Sequence, residues 1–108
     1  MAKTTIPQEV KRQVDNFVSV LRKDKLPIEK ALIFGSYAKG RQNRFSDIDL
    51  CIISPKFKDS LEALQYLWLK RKEIKDSVIE PVGFNPKDFS ENSSLVGEIK
   101  RTGTEIEV

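Results

Sequence analysis

Residues 30–53, which read KALIFGSYAKGRQNRFSDIDLCII, decide the fold of this chain. An apolar run ends at Gly35 and Ser36, a polar and basic segment follows, and a second apolar run opens with Asp47, an isoleucine and Asp49. Side chains two residues apart in a strand point to the same side of the sheet. The pattern therefore predicts that Asp47 and Asp49 project together, about 6.6 Å apart, while the isoleucine between them faces the core.

These two features predict a chemistry when they are taken together. Two aspartates on one strand face can converge on one or two divalent ions. Gly35 and Ser36 lie where the first strand would meet a short helix, and free backbone N–H groups and a hydroxyl at that point can hold a phosphate. Taken singly, a Gly-Ser is more often a turn and an Asp-x-Asp more often a solvated face. The combination at this spacing predicts phosphoryl or nucleotidyl transfer.

This combination resembles the DNA polymerase β-like nucleotidyltransferase superfamily. The family pattern is an apolar residue, Gly-Ser or Gly-Gly, about ten further residues, and then Asp, an apolar residue, and Asp or Glu. Here the pattern is matched by Phe34-Gly35-Ser36, residues 37–46 and Asp47-Ile48-Asp49-Leu50. The resemblance is closest to the minimal nucleotidyltransferases of bacteria and archaea, and it covers nearly the whole chain. Many of these are the antitoxin halves of pairs whose toxin is a small helical ribonuclease, called a HEPN toxin.

Length and composition indicate one globular domain over residues 1–108. Hydrophobic residues make up 39% and charged residues 32%, which is typical of a folded rather than a disordered chain. No apolar run approaches the roughly 20 residues that span a bilayer, and the N-terminus has no signal-peptide core, so we expect a cytoplasmic protein. The net charge of +3 fits an NTP substrate or an RNA-associated partner without deciding between them.

Cysteine and histidine usage narrows the chemistry further. Cys51 is the only cysteine, so no intrachain disulfide can form. It shares strand parity with Asp47 and Asp49 and could line the site, although a half-buried small hydrophobe is the commoner role. The sequence has no histidine, which removes the usual imidazole base and zinc ligand. What remains is an oxygen-only site that suits Mg²⁺ or Mn²⁺, with carboxylates doing the acid–base work.

The remaining periodicities predict a small α/β domain, with a mixed sheet and flanking helices. The expected helices cover residues 7–23, 36–39, 60–75 and 93–102, with a helical turn at 86–89. The expected strands cover residues 30–34, 47–53 and 77–84, followed by an extended tail at 104–108. Pro81 inside the third strand predicts an edge position or a bulge. The apolar stripe of the 60–75 helix is interpreted as core packing, with a partner groove as the alternative; it contains Leu61, Leu64, Leu67, Trp68 and Ile74.

The resemblance implies a third carboxylate on a later strand, and Glu80 is the best candidate, although the family more commonly has Asp there. Because a glutamate is costly to bury unpaired, it needs a metal, a hydrogen bond or solvent. The alternative is an exposed strand-face glutamate beside Pro81. In the implied mechanism, Asp47 and Asp49 ligate two Mg²⁺ or Mn²⁺ ions. Glu80 completes the site of the ion that activates the acceptor hydroxyl, and it could take the proton.

The nucleotide would be held by the segment between the two apolar runs. Gly35 would let the backbone approach the phosphates closely, and Ser36 would donate a hydrogen bond to the β- or γ-phosphate. Lys39, Arg41 and Arg44 could add positive charge to the triphosphate, or they could be solvated loop charges.

The resemblance implies transfer of AMP from ATP to a protein hydroxyl, which in the antitoxin branch is a tyrosine of the HEPN toxin. Larger relatives carry a second domain, so here a partner protein or a second copy would complete the site, and neither nucleic acid nor membrane is required. Two alternatives stay open. One is a catalytically idle antitoxin that acts by steric contact, and the other is nucleotidyl transfer to a small molecule such as an aminoglycoside. The intact Gly-Ser and Asp-x-Asp favour the enzyme.

Overall fold

The computed structural model describes residues 7–35, 47–75, 77–91 and 93–107. These segments form, in chain order, helix α1 (Gln8–Lys23), strands β1 (Lys30–Phe34) and β2 (Ile48–Ile53), helix α2 (Ser60–Arg71), strand β3 (Ile79–Phe84), helices α3 (Pro86–Ser90) and α4 (Ser94–Thr102), and strand β4 (Thr104–Ile106). Within these segments, no helix has the length and apolar character needed to cross a membrane. The helix expected at 36–39 lies outside the described residues.

The four strands form one sheet in the order β3-β2-β1-β4. β1 is antiparallel to both β2 and β4, whereas β2 and β3 are parallel. The predicted α/β class with a mixed sheet is confirmed. The residues expected to form only an extended tail supply β4, which pairs with β1 and buries Ile106 against the core.

The core has two halves, one on each face of the sheet. On the first face, α2 packs beside α1, and α1 contributes a buried apolar stripe made of Val10, Val14, Phe17, Val18 and Leu21. On the second face, α4 inserts Val96 and Ile99 against Leu32, Phe34 and other strand residues. Cys51 is completely buried in this second half. Burial raises the pKa of its thiol to about 12, so Cys51 packs as a hydrophobe and does not line a site.

The interpretation of α2 needs correction in two respects. The helix ends at Arg71 rather than near residue 75, and Leu61 and Leu64 are 63% and 37% exposed rather than in the core. The side chains that α2 buries are Ala63 and Leu67. The reason is the close approach of α2 to β3: a Cβ added at Gly83 would lie only 2.9 Å from both Ala63 and Leu67. Ala63 and Leu67 are the α2 side chains that pack against Gly83, and Leu64 lies on the outer side of the helix.

β3 lies at an edge of the sheet, as Pro81 predicted. The N–H groups of Ile48 and Ser54 donate to the carbonyls of Val78 and Phe84, so the even-numbered residues of β3 direct their backbone groups toward β2. The backbone of Pro81 therefore faces outward, where the missing N–H breaks no ladder hydrogen bond. A proline is tolerated at position 81 because the backbone of that residue points away from β2.

The contact between α2 and β3 generates a stability prediction. We expect Gly83→Ala to lower the free energy of unfolding by about 1–3 kcal/mol, because the added methyl group overlaps the ring of Phe57 and two side chains of α2. The matched control is Gly97→Ala in α4, where an added Cβ meets no atom within 4 Å. That change should raise stability by up to about 1 kcal/mol through helix propensity. Urea denaturation measures both; equal stabilities for the two variants would contradict the close packing.

Candidate active site

The three carboxylates expected from the sequence lie at one end of the sheet. Asp47 immediately precedes β2 rather than beginning it, and its side chain is exposed. Asp49 is the second residue of β2, and it is paired in register with Glu80, the second residue of β3. Paired positions on neighbouring strands present their side chains on the same face. The register therefore brings Asp49 and Glu80 together, with Asp47 just beyond the end of the strand.

These carboxylates perturb one another. Glu80 is within hydrogen-bonding reach of both Asp47 and Asp49. The hydrogen bond with Asp47, followed by burial and by the negative charge of both aspartates, raises the pKa of Glu80. Burial, followed by repulsion from Asp47, raises the pKa of Asp49. Like charges held this closely favour an added proton or a cation between them.

Gly35 follows β1 directly and lies against the same cluster. Its φ of 74° is in the left-handed region, which favours glycine. Phe34, the residue before it, pairs with Asp49, and a Cβ added at Gly35 would overlap the Oδ2 atom of Asp49. Two independent constraints thus require glycine here: the backbone conformation and the room taken by the Asp49 carboxylate. Ser36, Lys39, Arg41 and Arg44 lie outside the described residues, so their assignment to the nucleotide stays a prediction.

Two charged residues near the cluster were not singled out from the sequence. The negative charge of Glu98, on α4, contributes to the raised pKa of Asp49. Arg71, the last residue of α2, acts in the opposite direction, because its positive charge lowers the pKa of Glu80. The only sequence signal for Glu98 is its position between Val96 and Ile99 on a helix that buries both. No local pattern marks Arg71.

The donor chemistry at this end of the sheet fits a hard divalent cation, because the converging groups are carboxylate oxygens. In the described part of the chain, no three acidic, histidine or cysteine side chains are spaced to enclose an ion as they stand. Glu80 is instead within hydrogen-bonding reach of both Asp47 and Asp49. Binding a cation would require these side chains to turn apart, which the exposed position of Asp47 permits.

An apolar groove of about 250 Å³ lies beside β3, the strand that carries Glu80. Its floor contains Val82, which follows Glu80 on the same strand face at about 6.6 Å. Among the residues that the structure describes, those lining the groove carry no charge; they are Ser60, Leu61, Leu64, Val82, Phe84 and Leu95. By contrast, the two aromatic residues of α2 that could have made an apolar surface, Tyr66 and Trp68, are half-buried. The exposed apolar surface of α2 that adjoins the site is thus made by leucines.

The chain is similar to several solved structures. One is a crystal structure of a toxin–antitoxin with AMP-PNP, at a TM-score of 0.58 and 25% identity, over 84% of this chain and 69% of that one. Another is a "putative nucleotidyltransferase" from Sulfolobus solfataricus, at a TM-score of 0.57 and 19% identity, over 98% of this chain and 86% of that one. At 19% identity, the second similarity shows a shared fold.

Sequence comparisons agree with the structural ones. A Methanocaldococcus jannaschii protein named "Putative protein adenylyltransferase MJ1379" is 40% identical over 50 residues, which are 42% of this chain and 50% of that protein. The match therefore spans half of that relative's length. The family model of the nucleotidyltransferase domain matches residues 14–103, which is most of the chain and includes the carboxylate cluster. The chain belongs to the nucleotidyltransferase domain family.

Proposed function

We propose that this protein is a metal-dependent nucleotidyltransferase that transfers AMP from ATP to a hydroxyl of a protein. The observation that carries the proposal is the register that sets Asp49 opposite Glu80, with Gly35 against the same carboxylate. Family membership supports nucleotidyl transfer, and the name of the M. jannaschii relative supports a protein as the acceptor. The AMP-PNP in the structural neighbour supports ATP as the donor.

The proposed roles follow from where the side chains lie. Asp47, Asp49 and Glu80 would hold two Mg²⁺ or Mn²⁺ ions, which when bound would acidify the acceptor hydroxyl and neutralise charge on the departing pyrophosphate. The acceptor oxygen forms a bond to the α-phosphorus, the bond between that phosphorus and the bridging oxygen breaks, and pyrophosphate leaves. Glu80 is the proposed acceptor for the hydroxyl proton, because its pKa is raised by the hydrogen bond with Asp47 and by burial.

The triphosphate would lie on the segment that follows β1. Gly35 would let backbone N–H groups approach the phosphates, and Ser36 would donate a hydrogen bond to the β- or γ-phosphate. Lys39, Arg41 and Arg44 are proposed to contribute positive charge to the same phosphates.

We further propose that the acceptor is a tyrosine of a HEPN ribonuclease and that the pair works in the cytoplasm, where ATP is available. A toxin partner is supported by the toxin–antitoxin structure to which this chain is similar.

An acceptor side chain that reaches Glu80 brings its neighbours onto the uncharged groove along β3. We therefore propose that the partner packs apolar side chains against Leu61, Leu64 and Leu95 around the acceptor. The same groove would serve an antitoxin that neutralises by contact alone, which is the second candidate function.

The transfer reaction gives the main prediction. With ATP, Mg²⁺ and the cognate toxin, the wild-type protein should add adenylyl groups to the toxin, visible by intact-mass spectrometry. Asp47→Asn with Asp49→Asn should slow transfer at least about 100-fold, because both metal-binding charges are lost while the volume is kept. Glu80→Gln should also slow it.

The matched control is Glu105→Gln, an exposed glutamate on β4 at the opposite edge of the sheet. It should transfer at the wild-type rate. If no adduct forms on the toxin and the double Asn variant still neutralises it fully in cells, neutralisation by contact is the function.

Metal binding should raise the Tm of the protein, and the size of this increase should depend on pH. The pKa values of Asp49 and Glu80 are both raised, so the folded protein binds protons more tightly than the unfolded chain. Stability contributed by these groups is therefore present at low pH and is lost as the pH rises through their folded pKa values. Added Mg²⁺ offsets the repulsion, so it should raise Tm more at pH 8 than at pH 5. Asp49→Asn should lose most of this effect, and an equal Tm shift at both pH values would count against the site.

The groove can be tested with two leucines of equal exposure. Leu61 lines the groove and is 63% exposed, whereas Leu69 is 62% exposed and lies outside it. Leu61→Glu should weaken binding to the cognate toxin by at least about tenfold, because a charge replaces a buried interface contact. Leu69→Glu should bind as the wild type does. Calorimetric titration of the toxin measures both, and equal affinities would place the partner elsewhere.

A further inference from the structure

We propose that Arg71 is a positioning residue that holds the first part of β3, and with it Glu80, in place for nucleotidyl transfer. The inference rests on the proposed function, and it adds to the site a cation that donates hydrogen bonds to backbone carbonyls. Arg71 is the last residue of α2, and it reaches across to the strand that carries the third carboxylate.

The contacts of Arg71 form a fork over two carbonyl groups. Its Nε atom donates to the carbonyl of Ile79, and its Nη2 atom donates to the carbonyl of Ser77 at 2.8 Å. Ile79 directly precedes Glu80. The guanidinium carbon lies over the ring of Trp68, 4.7 Å from its centroid. The group is therefore held by two hydrogen bonds and by a cation–π contact.

The position of β3 in the sheet explains why such a fork is needed. β3 is an edge strand, so β2 holds it on one side only. The N–H of Ile48 fixes the carbonyl of Val78 from the β2 side. The carbonyls of Ser77 and Ile79 face the other way, and Arg71 binds both. The segment that leads into Glu80 is thus held from two sides, by β2 and by α2.

Holding Glu80 matters because its neighbours repel it. Asp47 and Asp49 lie within reach of Glu80, and their negative charges act to push the three carboxylates apart. A side chain on an edge strand can relieve such repulsion by moving its backbone outward. The fork of Arg71 opposes that movement and leaves the carboxylate itself available.

Arg71→Lys tests the two hydrogen bonds of the fork separately from the positive charge of the side chain. Lysine keeps the positive charge, but its compact ammonium cannot span two carbonyls in one plane. We expect kcat for AMP transfer to fall about tenfold while KM for ATP stays within about twofold, because the misplaced group acts in the reaction and not in nucleotide binding. The matched control, Arg22→Lys, changes an exposed arginine near the end of α1 and should alter neither constant.

A second readout does not depend on activity. Calorimetric titration of Mn²⁺ into the same variants should show affinity about tenfold weaker for Arg71→Lys and unchanged for Arg22→Lys, with urea denaturation confirming that both remain folded. If the wild type transfers AMP or binds Mn²⁺ and Arg71→Lys matches it in kcat and in affinity, Arg71 is a structural residue and the inference is wrong. If the wild type neither transfers AMP nor binds Mn²⁺, the proposed function fails, and this inference fails with it.

Discussion

The parallel register between β2 and β3 is the constraint on which the rest of the structure depends. It sets Asp49 against Glu80 at one end of the sheet and so concentrates negative charge there. The burial of the apolar residues that alternate with these acids stabilises the strands against the repulsion between the carboxylates. Ile48, Leu50 and Ile79 are all at most 1% exposed, and their burial fixes the strands that the carboxylates would otherwise spread. A domain of this size can hold an acidic cluster because both faces of its sheet are covered.

The same features explain which parts of the molecule could be predicted from the sequence. Gly35, Asp47 and Asp49 stand out because the relevant spacing is local and the strand periodicity places both acids on one side. Pro81 indicated an edge strand because a proline has no N–H to donate to a neighbouring strand. The fold class followed from the apolar runs alone. For Ser36, Lys39, Arg41 and Arg44, the nucleotide-binding role stays a prediction.

The missed features all depend on contacts between elements. The exposure of Leu61 and Leu64 follows from the close approach of α2 to Gly83, which helical periodicity does not reveal. β4 has only three residues, and its pairing with β1 becomes evident only when the free edge of β1 is known. Arg71 acts on Glu80 because the chain after α2 turns back to begin β3. The sequence shows the distance along the chain between those residues but not the turn.

The outer side of β3 has a consequence for the behaviour of the protein in a crowded cell. The Ile79 carbonyl is taken by Arg71, the Ile79 N–H donates to the hydroxyl of Ser77, and Pro81 has no N–H to offer. An incoming strand from another chain would find this row of donors and acceptors interrupted at Ile79 and Pro81, so this edge of the sheet is a poor template for fibril growth. The exposed leucines beside this strand therefore bring less of the aggregation hazard that usually accompanies an apolar sheet edge.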